Sequence, residues 1–418
     1  MHADKPQKPI TYRLKNRKRM ITVEKAEELI ARELKVLPSE KLPFRQVVDR
    51  VLRETVSADR DLPPYNRVMM DGITLCSKAW MEGARKFEVE GTQFPGQPPL
   101  TLSNSNHCIK TMTGAVLPEG CNLVVPCEEF EQQGNLITVN AEFSAEKGRY
   151  LHKRGSDCSK GDELLKEGVQ LGPKEIAMAV SCGKDSLSVT RKIKIRVIDT
   201  GDELIEAGKP VTDFQIRRSN AHALVAACTR MPFVEASSQH CPDEENVLNR
   251  AISESMESFD ILLLCGGVSK GDRDLTPTIL TQLGFEECFH WVSQWPGKPM
   301  WFGKHPTGAL AFGLPGNPLS ALTCFHRYVV NALYLIAGTE SPVNPQVLLT
   351  DSITHNPPTT AFFPVSISRS KNGLLEAKPR RPRNSGDFTT IVNTDGFIQL
   401  PSGQTTFRAG FFAKLFPW

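Results

Sequence analysis

The chain has 418 residues, 40% hydrophobic and 23% charged, enough apolar side chain for several packed cores and too little charge imbalance for a disordered or low-complexity polypeptide. Fifty Lys and Arg against 47 Asp and Glu leave a net charge of +3, which argues against a globally basic nucleic-acid binder. The basicity is local: Lys5, Lys8, Arg13, Lys15, Arg17, Lys18 and Arg19 face only Asp4 in the first 20 residues, giving +6 there and -3 over the rest. That segment reads as a solvated terminus rather than an arm for nucleic acid or an anionic surface.

Next comes an amphipathic helix over 23–34, opened by Thr22, and a second helix is expected over 44–55 after Pro43. From 61 to 148 the chain is rich in Gly and Pro, with short apolar runs at 123–125 and 136–139, the texture of an inserted β-rich domain. A helix returns near 171–181. From Lys192 strands and helices alternate: strands at 193–198, 233–236, 261–265 and 310–312, helices at 221–229, 243–257 and 318–336. That rhythm gives a parallel sheet with helices on both faces. Beyond Gly338 prolines interrupt period-two pieces at 365–367 and 396–400, which indicates a C-terminal β domain. The expected division is a basic tail (1–20), a discontinuous helical domain (21–60 and 149–190), the β-rich insertion (61–148), the α/β domain (191–338) and the β domain (339–418).

Eleven cysteines with no C-x-x-C pair and no zinc-ligand spacing read as reduced thiols of a cytoplasmic protein. With no apolar leader-like run and no stretch of 18 uninterrupted apolar residues, a membrane anchor is not expected.

Three strands of the α/β region run into polar, glycine-bearing loops at 200–203, 266–274 and 313–318, and ligands of open α/β sheets bind at such strand ends. Gly266, Gly267 and Gly271 let backbone N–H groups approach a phosphate, with Ser269 and Lys270 adding a hydroxyl and a charge. A plain structural turn explains the glycine pair as well. Glu203, Asp272 and Asp274 would put carboxylates beside that phosphate, which a divalent cation reconciles; helix capping by either aspartate is the alternative. Pro315, Gly316, Asn317 and Pro318 spell either helix initiation or an anion site at a helix N-terminus. Lys298 sits in the rigid Pro296-Gly297-Lys298-Pro299 turn. In the β-rich region Asp71, Thr113 and Asp157 each stand on a glycine turn.

Taken in order, these segments resemble the MoeA family, the molybdopterin molybdenumtransferases, whose eukaryotic relatives include the E domain of gephyrin. The likeness rests on Met70-Asp71-Gly72, Met112 to Ala115, Arg154-Gly155-Ser156-Asp157, Thr200 to Leu204, Gln215-Ile216-Arg217 with Ser219-Asn220, Gly266 to Gly271 with Asp274, Pro296 to Pro299, and Gly313 to Ser320. It implies a homodimer of four-domain subunits, multidomain α/β plus β, with a three-layer molybdopterin-binding domain and a β-barrel-like C-terminal domain. It also implies a reaction: adenylylated molybdopterin bound with Mg2+ is hydrolysed to release AMP, and molybdate is transferred to the dithiolene. By the same resemblance Asp71, Asp157, Glu203, Asp243 and Asp274 are the functional carboxylates, Glu203 and Asp274 hold the metal, and Thr113, Pro315 and Pro318 match further site positions. The partner subunit's β-rich domain closes the cleft, and the adenylyltransferase that supplies the substrate is a candidate partner.

The chain departs from the family pattern where Arg218 stands for an aspartate, Trp295 for a lysine, and Thr359 to Pro364 for a run with two arginines. Arg218, Lys270 and Arg380 to Arg383 are the candidate replacements for the missing cations. A non-catalytic molybdopterin-binding scaffold of the gephyrin E type is the alternative function.

Overall fold

The computed structural model of the chain describes residues 20–269, 275–355 and 359–418. Two compact units emerge, one comprising the chain up to Arg53 with Gly168–Gly172 and Ser186–Trp418, the other Glu54–Glu167 with Pro173–Asp185. The basic tail lies outside the described residues.

In the first unit, α1 (Val23–Glu33) buries Val23, Ala26 and Ile30, the i, i+3, i+7 stripe of one face. Thr22 caps it by accepting the Lys25 N–H at 3.2 Å. The central sheet contains β1 (Ile193–Thr200), β2 (Val234–Cys241), β3 (Ile261–Cys265), β4 (Glu286–His290), β5 (Trp301–Lys304) and β6 (Leu310–Leu314) in the order β2-β1-β3-β6-β5-β4. β2, β1, β3 and β6 are mutually parallel, with Ile195 opposite both Ala236 and Ile261 and Leu263 opposite Phe312. β5 runs antiparallel to β6 and to β4, so the expected parallel sheet is parallel over only four of its six strands.

Side chains alternate across this sheet. Ile193, Ile195 and Val197 join one apolar layer with α1, α2 (Ser219–Thr229) and the helix from Pro318. Ile198, Leu262 and Leu264 face another layer formed with α3 (Glu245–Met256) and α4 (Thr276–Gln282). The last helix, α5, spans Pro318–Ala337 with a π turn at Phe325–Val329 and ends at Gly338 in the left-handed region. It is long and apolar enough to cross a membrane, yet its apolar 18-residue stretch is 67% buried in the fold.

The helix expected over 44–55 is not there. Only a 3-10 turn forms at Phe44–Gln46; Asp49 takes φ +58, and the Leu52 and Arg53 N–H groups donate to Val169 and Ser188 carbonyls at 2.9 and 2.8 Å. Val47, Val51 and Leu52 are fully buried, so the same apolar spacing is satisfied by strand-like pairing with distant chain.

The C-terminal region closes into a barrel. Thr360–Arg369 pairs with Leu375–Pro379 on one side and Gly396–Leu400 on the other, and Gln346–Leu349 and Phe412–Pro417 complete the ring. Val347, Phe363, Val365 and Ile398 fill its interior.

In the second unit a six-stranded sheet, ordered Leu123–Pro126, Gly72–Leu75, His107–Thr111, Lys86–Gln93, Leu136–Val139, Phe130–Gln133, packs Ile73, Trp80, Phe87 and Ile137. Beside it runs a ribbon: Arg67–Val68 pairs antiparallel with Leu151–His152 and on its other side bonds to residues 114–117.

Candidate functional site

Strand order reverses between β1 and β3, because the chain leaves β1 for β2 on one side and returns to β3 on the other. A crevice at the carboxyl ends of these strands is therefore expected on topology. A cavity of about 480 Å³ occupies that place, and Glu203, Asp243, Gly266, Gly267, Ser269, Pro315, Gly316, Asn317 and Pro318 line it. Nine residues singled out in the sequence thus converge. Gly271 and Asp274 lie outside the described residues, as do Lys270 and Asp272.

The glycine turn is built for close approach. Gly266 and Gly267 take φ +94 and +63, a Cβ on Gly267 would stand 2.7 Å from Thr276 Oγ1, and the Thr276 N–H donates to the Gly267 carbonyl at 3.3 Å. Gly316 lies opposite, 3.7 Å from the Gly266 Cα measured from its own Cβ position. Asn317 occupies the N-cap position of α5, but its side chain makes no capping bond; its amide donates instead to Ser385 Oγ at 3.2 Å. Asn220 donates to the Gly316 carbonyl at 2.7 Å, which leaves its Oδ1 buried without a partner among the described residues. An orphan acceptor on a cavity wall suits a ligand N–H or O–H. Asn220 was visible in the sequence only as part of a motif, and its role depends on a neighbour far along the chain.

The carboxylates differ in what they are free to do. Asp199, 1% exposed, receives both Nε and Nη2 of Arg218 at 2.8 Å, and Glu206 bonds the remaining guanidinium nitrogen and His222. Asp199 holds the Arg218 pKa above its ordinary value. The Arg218 charge is thus already balanced by Asp199 and Glu206, which argues against it as the replacement cation. Asp243 accepts from Thr200 Oγ1 at 2.7 Å. Glu203 folds over Gly201, its Oε2 2.5 Å from where a Cβ there would be, and its carboxylate has no partner among the described residues. No group of three or more His, Cys, Asp or Glu that could cage a metal occurs among the described residues. Magnesium needs no such cage, taking one or two carboxylates together with phosphate oxygens, and a free Glu203 beside the glycine turn fits that donor set. The Gly266 N–H, expected to approach a phosphate, instead extends the strand pairing by donating to the Leu314 carbonyl at 3.2 Å, which leaves the Gly267 N–H for a ligand.

Lys298 does not line the cavity; its neighbour Pro299 does. The Lys298 carbonyl accepts from Val292 and Met300 N–H groups at 3.0 Å, and its ammonium lies 5.8 Å from the Trp291 ring centre. Trp295 packs 5.2 Å from Phe363 and 5.5 Å from His355, and Thr360, Ala361, Phe362 and Phe363 are buried. Trp295 and the segment 360–363 thus form part of the barrel wall.

In the second unit Asp71 Oδ1 accepts the Thr113 N–H at 2.6 Å and the Thr113 hydroxyl at 2.8 Å, which holds the carboxyl below the usual range. Asp157 ends the turn at 153–156, whose Gly155 N–H donates to Pro63 and whose Arg154 pairs with Asp61 at 2.7 Å. The Asp157 N–H is fixed to the Leu62 carbonyl at 2.9 Å. Asp71, Thr113 and Asp157 therefore hang from the single ribbon formed by 66–69, 114–117 and 150–152.

A doubly wound α/β domain carrying a glycine turn, a helix N-terminus and a free carboxylate at its switch point defines an enzyme that handles a phosphate-bearing ligand. Residues 21–183 match the MoeA N-terminal region (domain I and II), 196–334 a probable molybdopterin binding domain, and 346–413 the MoeA C-terminal region (domain IV). The chain is 34% identical to the molybdopterin molybdenumtransferase of Synechocystis sp. over 96% of its own length and 100% of that protein, and 28% identical to that of Bacillus subtilis over 93% and 92%. A crystal structure of a molybdopterin biosynthesis MoeA protein from Pyrococcus horikosii superposes with TM-score 0.81 at 27% identity, covering 95% of this chain and 99% of that one. The chain belongs to the MoeA family of molybdopterin molybdenumtransferases, enzymes of molybdenum cofactor biosynthesis.

Proposed function

We propose that this chain binds adenylylated molybdopterin at the cavity of the first unit, hydrolyses its phosphoanhydride to release AMP, and directs molybdate to the dithiolene sulfurs. The observation that carries the reading is the convergence of the Gly266-Gly267 turn, the Gly316 carbonyl held by Asn220, and the unpartnered Glu203 carboxylate on one crevice. The Gly267 N–H binds a phosphate oxygen, Asn220 Oδ1 accepts from the ligand, and Asp243 is oriented by Thr200. Glu203, together with Asp274, is the holder proposed for Mg2+, which when bound neutralises phosphate charge.

The protein acts as a cytoplasmic homodimer of four-domain subunits in this reading, with Asp71, Thr113 and Asp157 offered by the partner subunit. The cations for molybdate come from Arg380 to Arg383, because the loop that follows them carries Ser385 onto Asn317. The test is direct: purified protein, adenylylated molybdopterin, Mg2+ and molybdate, followed for AMP and for active cofactor. Both products are expected. Pterin binding with neither product would instead support a scaffold, and AMP without cofactor would remove the oxyanion assignment.

A further inference from the structure

The ribbon of the second unit carries a three-membered chain of side chains that ends on Asp157. Register places Arg67 directly opposite His152. Arg67 Nη2 stands 2.8 Å from His152 Nδ1, and His152 Nε2 stands 2.7 Å from Asp157 Oδ1. A guanidinium is a donor and never an acceptor, so Nδ1 must carry a lone pair. The imidazole proton is then on Nε2, where it can only be donated to the carboxylate. One oxygen of Asp157 is held, while the other has no partner among the described residues on a side chain 57% exposed.

We propose that Arg67 and His152 are positioning residues: Arg67 selects the Nε2–H tautomer of His152, and His152 fixes the ionised Asp157 with one oxygen turned outward to the substrate. The inference rests on the reading that Asp157 serves the transfer reaction. Without the clamp, an exposed aspartate on a glycine turn would sample several rotamers, and only a fraction of them would present that oxygen correctly. The backbone N–H of Asp157 fixes where the residue starts; the imidazole fixes where it points.

The experiment uses the full-length protein with adenylylated molybdopterin, Mg2+ and molybdate, and four variants. His152→Ala is expected to lower kcat roughly tenfold, the size of one charge-assisted hydrogen bond, with KM for the pterin within about twofold. His152→Gln, whose amide can accept from Arg67 and donate to Asp157, recovers most of that loss. Arg67→Ala lowers kcat in parallel, and imidazole nitrogen spectra show His152 changing from the Nε2–H form to a mixture. Thermal unfolding stays within about 2 °C in all of them, since exposed pairs contribute little. An unchanged kcat in His152→Ala alongside an inactive Asp157→Ala overturns the positioning role and leaves the function standing, as does an Nδ1–H tautomer in the unmodified protein. Full activity in Asp157→Ala overturns the site reading of Asp157 and this inference with it.

Discussion

At Asp71 two donors from one residue, the Thr113 N–H and hydroxyl, converge on a single carboxylate oxygen. Hydrogen bonds to the charged form favour ionisation, in keeping with the lowered pKa of this group. Thr113→Val keeps the backbone bond and removes the other. The Asp71 pKa then rises toward its ordinary value, so an activity that needs the carboxylate is lost at a higher pH as the solution is acidified; the acid limb of kcat/KM against pH reads this directly. Asp71→Ala and Glu203→Ala are each expected to abolish molybdenum insertion with unfolding midpoints unchanged, because both groups are exposed and neither supports a core. Normal insertion in both variants would remove these assignments. In the sequence these carboxylates stood out only through the family resemblance, since a carboxylate beside a glycine is also the commonest turn spelling, and the structure makes Gly72 the first residue of a strand rather than part of a turn. The pairing of Arg218 was not legible at all: its partner Asp199 lies at the end of a buried strand, and only the folded sheet brings the two together.

Elements were legible where burial dictated them. The five consecutive apolar residues of β3 had no other home than the centre of a sheet, and the stripe Val23, Ala26, Ile30 had none but a helix. β4 and β5 were missed because an antiparallel edge needs no crossover helix to announce it, and the 44–55 segment was misread because Val47, Val51 and Leu52 fit two periodicities at once. The Gly266-Gly267 turn is the element on which the proposed ligand site depends most. Gly267→Ala forces an L side chain into the left-handed region, at about 1–2 kcal/mol, and drives Cβ against Thr276 Oγ1. A urea melt shows the lost stability, and ligand affinity falls further than stability because the turn itself must shift.

On α5, His326 lies against Phe325 and Trp418, and burial, helped by repulsion from Arg230, pushes its pKa down to about 4. The folded state therefore resists a proton that the unfolded chain accepts near pH 6.5. Stability from this site is full above about pH 6.5 and declines as pH falls toward about 4. His326→Phe keeps a ring in place and removes the titration. The difference between variant and parent in urea midpoint should narrow or reverse in favour of the variant as pH drops through that window, and a difference independent of pH would rule the coupling out.

Over the whole molecule, strand and helix alternation after Lys192 announced the central sheet and interrupted period-two runs announced the C-terminal barrel. Whether copies share a site is not written in any local pattern, because that depends on surfaces meeting across a symmetry axis. If Asp71 of one subunit serves the Glu203 pocket of its partner, the two defects complement. A homodimer of Asp71→Ala has two dead sites, and so has a homodimer of Glu203→Ala. A heterodimer of the two variants unites the intact Glu203 of one subunit with the intact Asp71 of the other, giving one working site and one doubly defective site. Random pairing makes about half the dimers heterodimers, so co-expressed variants should recover roughly a quarter of the parent activity. Separately purified, unmixed variants should recover none. If both groups instead acted within one subunit, no pairing could restore a complete site, and the mixture would stay as inactive as its parts.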